Sequence, residues 1–282
     1  MNNTLKLSFT KPSNWSSLPL FLKIKYYSTI LDNNYAKYVD KLEAKKIVSD
    51  MTNGEVKVAK IIKELNDFND INEKDINNDH ILKAVHGSGW NLDFNDIKNI
   101  FDIKKFIKDR TKCYSSKEKQ YKYIKPRFFI EEKINDLHTG KSGKAFSYMF
   151  RCINGKPVTI GVKYEIIIYD NIHGWKKIYV NRLYDTNWNI IQEHNIDLLC
   201  KNLKLYNVTK IINLSPIINK PHRLDDMLKY ATILSSTFEF VRIDFYIDKN
   251  NDIYFSEFTF TPASGIQKFD YKIEQALGKL WI

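Results

Sequence analysis

The spacing of hydrophobic and polar positions changes period several times along this chain. Between Leu20 and about Ser49, apolar and aromatic residues recur at intervals of three and four, first in FLKIKYYSTI and then in YAKYVDKLEAKKIV. That spacing predicts two helices. VKVAKII (56–62) reads as a strand or a short helix, and the Asn/Asp-rich NDFNDINEKDINNDH (66–80) as a loop or a surface helix. HILKAVHGSGW (80–90) predicts a strand running into a glycine-containing turn. An amphipathic helix follows over NDIKNIFDIKKFIKD (95–109), then a strand over PRFFIEEKI (126–134). FSYMFRCINGKPVTIGVKY (146–164) predicts a hairpin, with Asn154–Gly155 as its turn signal. WKKIYVNRLYD (175–185) adds a strand and RLDDMLKYATILSSTF (223–238) a helix. Strands and helices mixed in this way, with no repeat and no low-complexity linker, point to an α/β or α+β chain.

The last hairpin, VRIDFYIDKNNDIYFSEFTF (241–260), has two alternating runs around a DKNND turn. With a loop from Lys249 to Asp252, pairing outward sets Asp244 opposite Glu257 and Arg242 opposite Thr259. These four side chains share one face, because side chains alternate along a strand. Val241, Ile243, Phe245 and Ile247 then share the other face with Tyr254, Phe258 and Phe260 and form a core surface. Like charges directly opposite on a sheet repel, with their Cβ atoms about 5 Å apart. A bridging cation reverses that, and hard carboxylate oxygens suit Mg²⁺. The alternative reading is an exposed polar face on which Asp244 pairs only with Arg242.

Composition narrows the choices. Apolar residues make up 43% and aromatics 14% of the 282 residues, which is a folded rather than a disordered composition. The formal net charge of +11 is spread along the whole chain, so it favours anionic partners without marking a nucleic-acid arm. No zinc-finger spacing or RNA-recognition signature is present, and nucleic acid is not an expected partner. Cys113, Cys152 and Cys200 are odd in number and widely spaced, as expected in a reducing compartment. No run reaches the roughly 18 apolar residues of a membrane span, and a soluble cytoplasmic protein is the expectation.

Lys83, on a predicted strand, precedes the Gly87–Ser88–Gly89 turn. Glycines let backbone amides approach a phosphate, and a lysine supplies a point charge. The turn is neither a Walker loop nor a kinase glycine loop, since no GK[ST] follows. By itself it is a weak signal.

Taken in order, VDKLEAKKIV (39–48), ILKAVHGSG (81–89), QYKYIKPRFFIEEKI (120–134), CINGKP (152–157), YDTNWN (184–189) and FVRIDFYIDKNNDIYFSEFTFTPASGIQKF (240–269) resemble the TupA-like branch of the ATP-grasp superfamily over roughly residues 20 to 282. The resemblance implies an α+β ATP-grasp fold that holds ATP between two α+β subdomains. The expected division is a helical or α+β region over 1–77, a lid subdomain over 78–134 and a core over 135–282. It further implies that Lys41 and Lys83 contact the nucleotide phosphates and that Gly87, Ser88 and Gly89 cover them. His86 is a further candidate for phosphate or substrate. Glu131 is expected at the adenine edge, and Glu132 or Asp136 at the ribose hydroxyls. Asp244, Glu257 and Thr259 would carry Mg²⁺, and Arg242 would stabilise an acylphosphate and its adduct.

Two departures stand out. Ala263 occupies a position where the family usually has Gly. Ser147 and Met149 stand in SYMFRCING where it tends to read DYKFFCFNG. The implied activity is an ATP- and Mg²⁺-dependent carboxylate–amine ligase acting on an acidic sugar or glycan carboxylate in surface-polysaccharide synthesis. A glycosyltransferase, a sugar kinase and a non-catalytic nucleotide-binding module are the alternatives.

Overall fold

The computed structural model describes residues 10–66, 68–97, 99–114, 118–137, 146–192, 203–205, 207–213, 219–266 and 269–282. Cys200 and residues 1–9 lie outside them.

Two sheets organise the described residues. The larger contains β1 (Lys57–Val58), β6 (Ser147–Ile153), β7 (Lys156–Asp170), β8 (Gly174–Tyr184), β9 (Ile190–Gln192), β10 (Val208–Asn213), β11 (Phe240–Ile247) and β12 (Ile253–Thr259). Their order is β1-β12-β11-β6-β7-β8-β9, with β10 paired to the far end of β7. The smaller sheet has the order β2-β5-β3-β4, from Ile61–Leu65, Phe128–Glu132, His80–Ala84 and Asn91–Asp93 respectively. VKVAKII, expected as one element, is therefore split. Lys57–Val58 runs parallel to β12 at the edge of the large sheet, and from Ile61 the chain pairs with β5 in the small one. The expected division between 77 and 78 accordingly falls inside the small-sheet layer.

Helices cover one face of each sheet. α1 (Leu20–Tyr27), α2 (Ala36–Val39), α3 (Lys41–Met51), α5 (Leu224–Ser235) and α6 (Tyr271–Leu280) contribute to the large core, and α4 (Ile100–Asp109) packs on the small sheet. The segment expected to form two helices gives three, because Asp40 leaves helical geometry (ψ 115°) and caps α3 by accepting from Leu42 and Glu43 N–H at 3.0 and 3.1 Å. α4 starts five residues later than expected at 95. Asn99 caps it by accepting from Phe101 N at 2.9 Å, and Phe94–Asp96 turns separately as a 3₁₀ element.

In the small sheet Leu82, Ala84, Phe128 and Ile130 face α4 residues Ile103, Phe106 and Ile107. Alternation turns Lys83, Phe129 and Glu131 to the opposite face, where Phe129 joins the large core. The small sheet therefore presents charge toward the large one. Asn154 and Gly155 close the β6–β7 hairpin with φ of 50° and 75°, as a primed two-residue turn requires.

The register of β11 and β12 differs from the expectation near the turn and agrees with it at the charged residues. Ile247 pairs with Ile253, Tyr246 with Tyr254 and Phe245 with Phe255. A bulge at Ser256 then shifts the ladder, so that Asp244 pairs with Glu257, Ile243 with Phe258 and Arg242 with Thr259. Tyr254 consequently lies on the polar face beside Tyr246, not in the core where it was expected. Ile253 and Phe255 take the core positions, at 1% and 2% exposure. Phe255→Ala is expected to lower unfolding free energy by about 3–5 kcal/mol in denaturant titration. Tyr254→Ser is expected to cost about 1 kcal/mol or less. Equal costs would contradict the bulged register.

Candidate nucleotide and metal site

On the polar face of the hairpin the guanidinium of Arg242 holds both carboxylates. Its Nε and Nη2 donate to Asp244 Oδ1 and Oδ2 at 2.7 Å each, and Nη2 also donates to Glu257 Oε1 at 3.0 Å. Thr259 Oγ1 donates to the same Glu257 oxygen at 3.4 Å. The cation bridging the carboxylate pair in this geometry is therefore an arginine, an arrangement the sequence pattern had assigned to a metal ion. Burial pushes Asp244 up to about 6; Arg242 opposes that shift and Glu257 adds to it. Arg242 itself is held above its ordinary value, because the attraction of Asp244 and Glu257 outweighs burial.

The opposing wall carries lysines. Lys41, at the first position of α3, donates from Nζ to the Gly87 carbonyl and so ties the helix start to the Gly87–Ser88–Gly89 turn. Burial lowers it to about 8, Glu257 opposes, and the like charge of Lys83 adds to the lowering. Lys83, on β3, contacts Glu131 Oε1, and Lys45 on α3 contacts Oε2 at 2.9 Å. Glu131 is 3% exposed, and the two lysines hold its carboxyl below the ordinary range despite burial. Lys83 is raised, since Glu131, Tyr246 and Glu257 outweigh its desolvation. Both lysines thus lie within the field of Glu257, which places the turn and the hairpin on two sides of one site.

Several expected residues are placed differently. The Glu131 carboxylate is engaged between Lys45 and Lys83 rather than presented as an adenine edge contact. Glu132 pairs with Lys60 at 3.2 Å on the surface. Asp136 is fully buried, accepts from Phe146 N at 2.9 Å and bridges the backbone at Asp248, a structural placement rather than one that offers its carboxylate to a ribose. His86, 1% exposed, bonds through Nε2 to the Arg110 carbonyl at 2.6 Å and packs edge-on against Trp90 and Phe128. It belongs to the packing among Trp90, Phe128 and the Arg110 backbone. Its pKa is lowered by that burial.

Other side chains enter the site without having been expected. Lys45 lies one helical turn after Lys41, a spacing that marks a shared face. Tyr246 follows Asp244 by two on the polar face, and its hydroxyl lies 3.0 Å from Ser256 Oγ. Ser88 bonds to Tyr114, and Thr261 donates to Glu118 at 3.2 Å, which brings a further carboxylate within the field of Glu257, Arg242 and Lys41. Ala263, where glycine was expected by resemblance, has φ 53° and ψ 27°, the left-handed conformation that glycine adopts without a Cβ penalty.

Because the folded pKa of Lys41 is below the ordinary 10.5, folding disfavours its charged form. That cost is fully present below about 8 and is relieved as pH rises from there toward 10.5. Lys41→Met is therefore expected to be more stable than wild type near neutral pH, with the gap closing across that window in pH-resolved thermal unfolding. A constant gap would show that burial does not disfavour the lysine's charge.

The chain matches the family model described as TupA-like ATPgrasp over residues 21–282. No curated protein sequence matches it. Solved structures that it resembles include D-alanine–D-alanine ligase from Bacillus anthracis, at 13% identity over 79% of this chain and 56% of that one, with a TM-score of 0.44. Biotin carboxylase from Campylobacter jejuni gives 14% identity over 85% and 43%, with a TM-score of 0.43. L-amino acid ligase from Bacillus licheniformis gives 11% over 80% and 41%, with a TM-score of 0.42. The chain spans about half the length of these proteins, and the assignment rests on the family match. That match takes in both sheets and the charged residues between them, and the chain belongs to the TupA-like ATP-grasp family, with its α+β fold.

Proposed function

We infer that the protein is an ATP- and Mg²⁺-dependent ligase that activates a carboxylate as an acylphosphate and passes it to an amine. The observation that carries this reading is the convergence of Lys41, Lys83 and the Gly87–Ser88–Gly89 turn on the wall opposite Asp244 and Glu257. Lysines and backbone amides are phosphate ligands, and paired carboxylates are ligands for a hard cation.

The residues fit both groups. Asp244 is buried with its acid pushed up to about 6 although Arg242 contacts it, so its charge is incompletely compensated. A divalent cation held by Asp244 and Glu257, with Thr259 beside them, would supply the missing charge. Among the described residues no group of three or more His, Cys, Asp or Glu side chains forms a metal cluster. Phosphate oxygens and water would complete the shell of such a cation, as is usual for Mg²⁺. Bound MgATP supplies the phosphoryl group. Lys41 and Lys83 orient its phosphates, the turn excludes water, and Arg242 faces negative charge that develops during transfer.

The basic balance of the chain, +11, suits an acidic acceptor, and a uronic acid of a surface polysaccharide or its precursor is the substrate we assign. No helix among the described residues is long and apolar enough to cross a membrane. Calorimetry is expected to show ATP binding that requires Mg²⁺ and weakens at least about tenfold in Glu257→Ala. ADP release is expected to depend on both a carboxylate and an amine. A folded wild type that does not bind ATP would sink the ligase reading.

A further inference from the structure

Arg151 is a buried charge on the polar face that the site described above does not use. It lies on β6 directly opposite Arg242 of β11, and on its other side it pairs with Thr159 of β7. One row across four strands therefore reads Thr259, Arg242, Arg151, Thr159, and the adjacent row reads Glu257, Asp244, Met149, Gly161. Arg242 is matched by its two carboxylates. Arg151 is 8% exposed, and its Nη1 has no hydrogen-bond partner. The neighbouring Thr159 hydroxyl, at 1% exposure, has none either.

Two adjacent buried polar groups left unsatisfied, one a guanidinium, are costly unless something completes them. The like charge of Arg242 adds to that cost, and together with burial it lowers Arg151 to about 10. The face of the guanidinium is covered by the Phe269 ring at 4.5 Å, which leaves its edge for hydrogen bonding. Gly161 lets the guanidinium lie close against β7, since an added Cβ would come within 3.2 Å of Arg151 Nη1 and 3.1 Å of Met149 Cε.

The chemistry that completes a guanidinium edge beside a hydroxyl is a planar anion that accepts from both, and a carboxylate does so with two oxygens. Its place relative to the nucleotide follows from the electrostatic neighbours. Lys41 and Lys83 interact with Glu257, Glu131 and each other or Tyr246, whereas Arg151 interacts with Arg242, Asp244 and Glu274. The strand order agrees, since β11 with Asp244 lies between β12 with Glu257 and β6 with Arg151.

We propose that Arg151 and Thr159 bind a carboxylate of the acidic acceptor, on the side of Asp244 away from Glu257. This assignment rests on the ligase reading and names the substrate-binding part of the same site. It makes Arg151 a specificity determinant for acidic over neutral sugars.

The test uses the full chain, with galacturonate and glucuronate as probes, galactose as the neutral control and inorganic phosphate as a competing anion. Wild type, Arg151→Met, Arg151→Lys and Thr159→Val are first compared by thermal unfolding to establish that each folds. Calorimetry is expected to show uronate but not galactose binding to wild type, lost at least about tenfold in Arg151→Met and partly in Arg151→Lys and Thr159→Val. MgATP affinity should change less than about threefold in all of them. The proposal is overturned by three results: no uronate binding to a wild type that binds MgATP, uronate binding unchanged in all the variants, or phosphate binding at Arg151 that saturating MgATP abolishes. The last would assign the arginine to the nucleotide. Uronate binding without any MgATP binding would remove the ligase reading while leaving the anion site in place.

Discussion

A single guanidinium holding two carboxylates in a buried wall is the constraint around which the large sheet is arranged. Asp244 is 6% exposed and lies opposite another acid, a pairing that would be strongly unfavourable without Arg242 between them. The three groups can meet only if β11 and β12 are in their observed register. A slip of one residue would send Arg242 and Asp244 into the core and bring Val241 and Ile243 to the site. The hydrophobic faces of Ile243, Phe245 and Phe258 prevent that slip, so the packing of one face enforces the electrostatics of the other.

The small sheet solves a matching problem with opposite sign. Its outward face packs on α4, which leaves Lys83 and Glu131 turned toward the large sheet, where Lys45 from α3 completes the neutralisation of Glu131. Across the resulting site burial pushes an acid up to about 6 and a lysine down to about 8. Each group is held where its charge is less comfortable than in water. Under the proposed function, a cation on one wall and phosphate on the other would restore what burial removes, and such perturbed pairs are characteristic of functional sites.

The parts of this arrangement legible in the sequence are those carried by local pattern. Alternation around DKNND identified the hairpin and its charged face, and the Asn154–Gly155 signal identified the β6–β7 turn. The pairing of Asp244 with Glu257 was reached through a regular register that the chain does not follow near the turn. The bulge at Ser256 restores it, and no local signal announces a bulge that a distant strand must accommodate. Glu131, Asp136 and His86 show the second limit. Their chemical types allow ligand contacts, but burial and specific partners (two lysines, a backbone amide and a backbone carbonyl) are tertiary facts. The position of Arg151 beside Arg242 was illegible for the same reason, since it depends on how β6 pairs with β11 across 91 residues of sequence.

The bond from Lys41 to the Gly87 carbonyl has a further consequence for how this site responds to occupancy. The lysine already has an acceptor, and Asp244 and Glu257 already have a donor. An ammonium has three N–H donors and a carboxylate two acceptor oxygens, so a ligand at either wall meets groups already oriented by one partner, with capacity left for another. The bonds from Lys41 to the turn and from Arg242 to its carboxylates therefore hold both walls in place ahead of any ligand, and less ordering is left to be done on binding.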